Sequence, residues 1–196
     1  MIFDCTVDAP VERKEYAFFS SRDLVVHRDT YMRPCGEALS SLTRDISGTG
    51  DAQALYRATL TGNRQLINLR RRELLELSGC YHAHKCFFQS LGGGRISVYA
   101  LMRIHKSFGS ADSFFRRFKA LAAESSSEGF LWLCCEKKQP QALYITFTKK
   151  NALLPPHLSP LLCLDLWEHA YKKNYGGDRY AYAADFLMNT DWSFAE

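Results

Sequence analysis

Asp165 stands in the run Leu161-Leu162-Cys163-Leu164-Asp165-Leu166-Trp167, where a carboxylate is costly unless it is paired or bound to a cation. His169 follows four positions later, as strand gives way to helix, so both side chains can reach one point. His84 belongs to the series Leu74, Leu77, Tyr81, His84, Phe88, Leu91, whose spacing of 3, 4, 3, 4, 3 is one stripe of a helix. A polar ring in such a stripe needs a partner. His27 shares the apolar side of an earlier helix with Leu24, Tyr31 and Leu39. Three imidazoles and one carboxylate suit iron, manganese or zinc and leave room for a bound solvent. Taken singly, each histidine reads better as a hydrogen-bonded core residue than as a ligand, and Asp165 with His169 as a structural hydrogen-bonded pair. Spacing alone does not tie His27 to Asp165.

The elements that must position these residues follow from period and punctuation. Residues 1–19 show no period and are expected to cross the surface. Ser20, Ser21 and Asp23 are helix-start chemistry. The helix they open runs to about Leu42, with a kink or break expected at Pro34. Residues 43–53 read as loop, and a short helix follows at 51–60. The His84 stripe ends at Gly92-Gly93-Gly94, the sharpest boundary in the chain. Two helices are predicted at 95–106 and 110–124. The period then changes: strands are predicted at 130–136, 142–148 and 161–167, with turns at 139–141 and a Pro-rich loop at 151–160. A helical region carrying Tyr171, Tyr175, Tyr180, Tyr182 and Phe186 closes the chain. The fold class is α+β.

The 196 residues are 46% hydrophobic and 23% charged, the profile of a globular protein. A formal charge of +4 falls short of a dedicated nucleic-acid binder and suits an anionic substrate. No apolar run nears the roughly 20 residues that cross a bilayer, and the first residues lack an apolar signal core. The seven cysteines are odd in number and contain no CxxC, which points to buried thiols in a reducing compartment. The expected location is intracellular, mitochondrial or cytoplasmic, without secretion or a membrane partner.

The stretch Asp165, Trp167, Glu168, His169, Ala170, Tyr171 resembles the D-x-W-E-H-A-Y signature of iron and manganese superoxide dismutases. The resemblance runs from about residue 16 to 194. Counterparts occur in order at 108–114, 129–133, Asn151-Ala152 with Pro155, 160–162 and Asp191-Trp192. It implies that His27, His84, Asp165 and His169 are metal ligands, and that the cofactor is iron, with manganese as the other choice. It implies a helical-hairpin domain over 1–91 and an α+β domain over 92–196 with a three-stranded antiparallel sheet. The implied substrate is superoxide, converted to oxygen and hydrogen peroxide. The implied partner is a second copy or a related chain, with Glu168 and Tyr171 supporting the ligands across a two-fold interface.

The chain departs from the family around the ligands. The family's channel tyrosine corresponds to Cys35, and a histidine near the channel mouth corresponds to Tyr31. The glutamine that bonds the metal-bound solvent comes from one of two family positions, here Cys80 and Ala152. Two pocket tryptophans become Phe130 and Phe88, whereas Trp167 is kept; the asparagine before the second ligand becomes Ala83. Tyr31, Cys35, Cys80 and Trp167 are therefore the residues expected around the reaction. Outer partners of this kind are typically worth ~10–100-fold in affinity or activity, so reduced dismutation is expected.

Two other functions compete. Relatives of this family also serve as non-catalytic subunits of mitochondrial ribosomes. That alternative would set Arg70, Arg71 and Arg72 against ribosomal RNA and proteins. A non-heme iron oxygenase needs only two histidines and one carboxylate, and the fourth matched ligand weighs against it.

Overall fold

In the computed structural model of the chain, residues 19–48, 64–150 and 152–193 are described. The expectations for 1–18 and 51–60, and the side chains of Arg70, Arg71 and Asn151, lie outside the described residues. Phe19, expected on the surface, is buried.

Helix α1 (Ser21–His27) starts on Ser20, whose Oγ accepts the Asp23 amide at 3.1 Å and donates to the Asp23 carboxylate at 2.7 Å. One wide π turn (Arg28–Met32) follows, closed by the Arg33 N–H bonding the Arg28 carbonyl five residues back. Helix α2 (Arg33–Gly48) continues directly. The break expected at Pro34 is thus a widened turn. Proline has no N–H to give and presses on the carbonyl four residues back, and the wider turn just before it accommodates both effects. Residues 43–48, expected as loop, instead continue helix α2 to Gly48; local propensity is a weak guide to where a helix ends.

Helix α3 (Arg64–Ser90) is the long one. Its inward side buries Tyr81, His84, Phe87 and Phe88. It meets α2 closely at Gly36, where an added Cβ would stand 2.9 Å from the Tyr81 ring. Past its end, Gly92 and Gly93 donate to the Asn189 carbonyl at 3.2 and 3.0 Å, and Asp191 N–H donates to Ser90 C=O at 2.8 Å. Gly93 takes φ of 63°, a left-handed value that favours glycine.

Helices α4 (Val98–Phe108) and α5 (Ala111–Glu124) carry serine caps at Ser97 and Ser110. The sheet comprises β1 (Gly129–Glu136), β2 (Gln139–Lys149) and β3 (Leu158–Asp165), in the order β2-β1-β3, all antiparallel. The first hairpin turns at Lys137 and Lys138, so Gln139 and Pro140 already belong to β2. Strand β3 begins three residues before the expected 161 and ends at Asp165, leaving Trp167 beyond the ladder. Leu162, Cys163, Leu164 and Asp165 are all buried, because α3 packs on β3 and the strand is covered on both faces. Helices α6 (Glu168–Tyr175) and α7 (Arg179–Met188) complete the described chain, with α7 on α5. Helices first and a three-stranded antiparallel sheet later make an α+β fold. Among the described residues, no helix is long and apolar enough to cross a membrane.

One contact fixes the relation of α3 to β3. Buried Ser90 donates its hydroxyl to Cys86 C=O at 2.8 Å and accepts the Cys163 N–H at 2.9 Å. Six residues before Ser90 on the helix is His84, and two residues after Cys163 on the strand is Asp165.

Candidate metal centre

His27 closes α1, His84 lies in α3, Asp165 ends β3 and His169 opens α6. Their side chains converge. Asp165 Oδ2 stands 3.0 Å from His27 Nε2, 3.2 Å from His169 Nε2 and 3.4 Å from His84 Nε2. His27 and His169 Nε2 are 3.1 Å apart. All four donor atoms lie within 4.8 Å of one another. His27, His84 and Asp165 are buried, and His169 is slightly exposed.

Local contacts decide how each ring is presented. His84 Nδ1 lies 2.8 Å from the Cys80 carbonyl. A carbonyl only accepts, so Nδ1 carries the proton and Nε2 presents its lone pair inward. Neither His84 Nε2 nor Asp165 Oδ2 has a hydrogen-bond partner. Two buried lone-pair atoms therefore face each other across 3.4 Å. A cation between them removes that cost. Donors about 2.1 Å from one ion stand about 3.0 Å apart at right angles and about 3.6 Å apart at 120°. The separations of 3.0, 3.1, 3.2 and 3.4 Å fall in this range, so the cluster suits one ion once its widest donor pair, up to 4.8 Å apart, draws together. Asp165 Oδ1 faces away from this point and accepts the Trp167 N–H at 2.8 Å. His27 stacks on Phe87, with centroids 5.2 Å apart, and His169 lies flat against Tyr31 at 3.6 Å.

The electrostatics point the same way. Burial pushes the His84 imidazolium down to about 4 and lowers His27 as well, outweighing the pull of Asp165 on both. Burial alone would raise Asp165, but the His169 and His27 contacts together with the His84 field hold it well below the usual carboxylate range. Neutral imidazoles beside an ionised carboxylate are the protonation states that metal ligands require.

The match to known proteins decides the family. The model for the C-terminal domain of iron/manganese superoxide dismutases matches residues 98–196. A manganese superoxide dismutase of Chlamydia muridarum is 31% identical over 179 residues, covering 87% of this chain and 80% of its own length. The chain belongs to the iron/manganese superoxide dismutase family. A chloroplastic iron superoxide dismutase of Oryza sativa is 35% identical over 109 residues, 53% of this chain and 42% of its own. A mitochondrial manganese superoxide dismutase of Arabidopsis thaliana is 25% identical over 178 residues, 86% of this chain and 68% of its own. Family membership carries iron or manganese as the metal without choosing between them, and superoxide dismutase-like function.

The other residues expected at the site lie around this dismutase-type cluster. Tyr31 and Trp167 border a cavity of about 650 Å³ that reaches His169, with Lys150, Lys172 and Lys173 at its rim. The Trp167 ring stands 5.5 Å from His84 and 5.4 Å from His169. Cys80 Sγ is 3.7 Å from His84 Nδ1, and Cys35 lies with Cys80 along a neighbouring cavity. Ala152 lines a different cavity with Cys86 and Trp132. Phe130 and Phe88 pack against His84 and His27. Glu168 is exposed and pairs with its own Lys172 at 2.8 Å, whereas Tyr171 is buried beside Tyr182. Phe87 and the Cys80 carbonyl were missed in the sequence. Both sit one helical turn from His84, a spacing that a search from His84 along α3 would have reached.

Proposed function

We propose that this chain is an iron-loaded superoxide dismutase of reduced turnover, held by His27, His84, Asp165 and His169, and working as a two-fold dimer with itself or a related chain. The observation that carries the reading is the convergence of three imidazole nitrogens on the buried Asp165 carboxylate. Bound there, iron or manganese supplies one-electron chemistry that turns one superoxide into oxygen and the next into peroxide. Asp165 offsets the charge of the ion, and the Trp167 amide orients its carboxylate. The Cys80 carbonyl holds His84 in the required tautomer. A small anion reaches the His169 side through the cavity beside Tyr31 and Trp167. Lys150, Lys172 and Lys173 at that mouth pair with Glu128, Glu168 and Asp23, so they attract an anion only modestly.

Turnover is limited by protons. The leaving peroxide takes up two, and thiols stand at Cys35 and Cys80 where the family uses a tyrosine and, in some members, a glutamine. The choice of iron rests on Asn151-Ala152, which resembles the iron-type loop. The dimer rests on exposed Glu168. Division into parts at 91 and 92 is proposed from the glycine run. The described cysteines are free thiols, which supports an intracellular site, mitochondrial or cytoplasmic. The relatives reported above are all dismutases and lend no support to the ribosomal alternative.

Metal analysis of the purified chain is expected to find about one iron per chain. Dismutation should be measurable, and Cys80→Gln with Cys35→Tyr should raise it, since the cavity of about 410 Å³ beside the two thiols has room for larger side chains. Metal-loaded protein with no activity above the free ion, unimproved by the double substitution, would end this reading.

A further inference from the structure

The metal centre leaves two thiols without a task. Cys35 on α2 and Cys80 on α3 face the same cavity of about 410 Å³, which also touches Tyr31 and Trp167. One residue further on, the two helices touch, and a Cβ added at Gly36 would stand 2.9 Å from the Tyr81 ring. Cys80 is buried and sits 3.7 Å from the His84 ring, while Cys35 is half-buried on the open side.

We propose that Cys35 and Cys80 form a peroxide-oxidisable dithiol that closes to an intrachain disulfide between α2 and α3 beside the metal centre. The arrangement is an accessible attacking thiol backed by a buried resolving thiol, the pairing that reversible thiol oxidation needs. The oxidant is hydrogen peroxide, which the proposed dismutation generates a few ångströms away; to that extent the inference rests on the dismutase reading. The Cys35 sulfur attacks one oxygen of hydrogen peroxide. The O–O bond breaks, hydroxide leaves and takes the thiol proton as water, and Cys35 becomes a sulfenic acid. The Cys80 sulfur then attacks the Cys35 sulfur. An S–S bond forms, the S–O bond breaks, and hydroxide leaves with the Cys80 proton as a second water. Two thiols lose two electrons and one peroxide gains them. Cys86 and Cys163 repeat the half-buried and buried arrangement, but Cys86 lines a different cavity, away from Tyr31, Trp167 and the four donors.

The test is peptide mapping of the purified, metal-loaded full chain after brief exposure to hydrogen peroxide, with alkylation and no reductant. The expected product is one peptide pair joined through Cys35 and Cys80, two fewer free thiols per chain, and full reversal by dithiothreitol. In Cys80→Ala, dimedone is expected to trap a sulfenic acid on Cys35 with no intrachain link. Absence of the joined pair, a link through Cys86 and Cys163, a dimer joined through Cys35, or direct passage of Cys35 to sulfinic acid would each overturn the proposal. The peroxide is added, so the outcome is separate from turnover. A joined pair in a metal-loaded chain without dismutase activity keeps the dithiol and discards the dismutase reading; activity without a joined pair does the reverse.

Discussion

Replacing His84 with leucine should separate the cost of the metal centre from its benefit. In the metal-free chain His84 Nε2 is buried without a hydrogen-bond partner and faces the Asp165 carboxylate. A buried unsatisfied group costs roughly 1–3 kcal/mol. His84→Leu removes it and fills the space with carbon against Phe130 and Trp167. The substitution also gives up the Nδ1 bond to the Cys80 carbonyl, worth about 1 kcal/mol. That carbonyl keeps its helical amide partner, so no new orphan appears. The balance is a gain of about 1 kcal/mol, or a rise of about 2–4 °C in Tm for a chain of this size. With metal the order reverses. An ion at 1,000 times its Kd stabilises the wild type by about 4 kcal/mol, and the variant, lacking one donor, forgoes most of it. Thermal unfolding of chelator-treated and metal-reconstituted samples reads both numbers. A lower Tm for metal-free His84→Leu than for metal-free wild type would refute the reasoning. So would a wild-type Tm indifferent to metal.

In the metal-free chain, acid should destabilise the fold well before the carboxylates titrate. The unfolded chain protonates His84 near 6.5 and the folded chain only at about 4, so stability falls through that window as pH drops, by about 3 kcal/mol for this residue. Urea unfolding at several pH values checks it, and His84→Leu should flatten the slope. Ser90→Ala should cost roughly 1–3 kcal/mol, because it strips the buried Cys163 amide of its acceptor; a shift in urea midpoint at constant m measures this. Tyr31→Ala should release the stacked His169 ring and speed metal loss to a chelator by ~10-fold, while Tyr31→Phe keeps the stack and the wild-type rate.

The sequence made some elements legible and hid others for physical reasons. The stripe from Leu74 to Leu91 was readable because one helix face packs inward, half-buried at Leu74 and Leu77 and buried from Tyr81 to Leu91. Asp165 was conspicuous because nothing in its apolar run can pair with it. The order of helices, strands and helices followed from the change of period at Gly129. Pro34 marked a real irregularity, which takes the form of one π turn at Arg28–Met32 just before it rather than an end to the helical path. Residues 43–48 looked like loop because Thr43, Asp45, Ser47 and Gly48 are weak helix formers, yet the helix runs through them. From Leu162 to Asp165 the residues of β3 are buried on both faces, so alternation alone does not tell which side meets α3. The convergence of the four donors, the Tyr31 stack on His169 and the meeting of Cys35 with Cys80 all join distant segments. Local spacing does not encode such contacts.

The wide sequence separation of the donors also orders events during folding. His27 and His169 touch although they are 142 positions apart in the chain, and His84 and Asp165 belong to different elements in between. Contacts of such long range form late, because chain closure must be accomplished before they contribute. No early hairpin or single helix gathers more than one histidine of the set. Metal uptake therefore reports the finished topology rather than guiding it. A chain emerging from synthesis carries two waiting imidazoles long before its carboxylate arrives, and metal supplied during refolding should alter the unfolding rate far more than the folding rate.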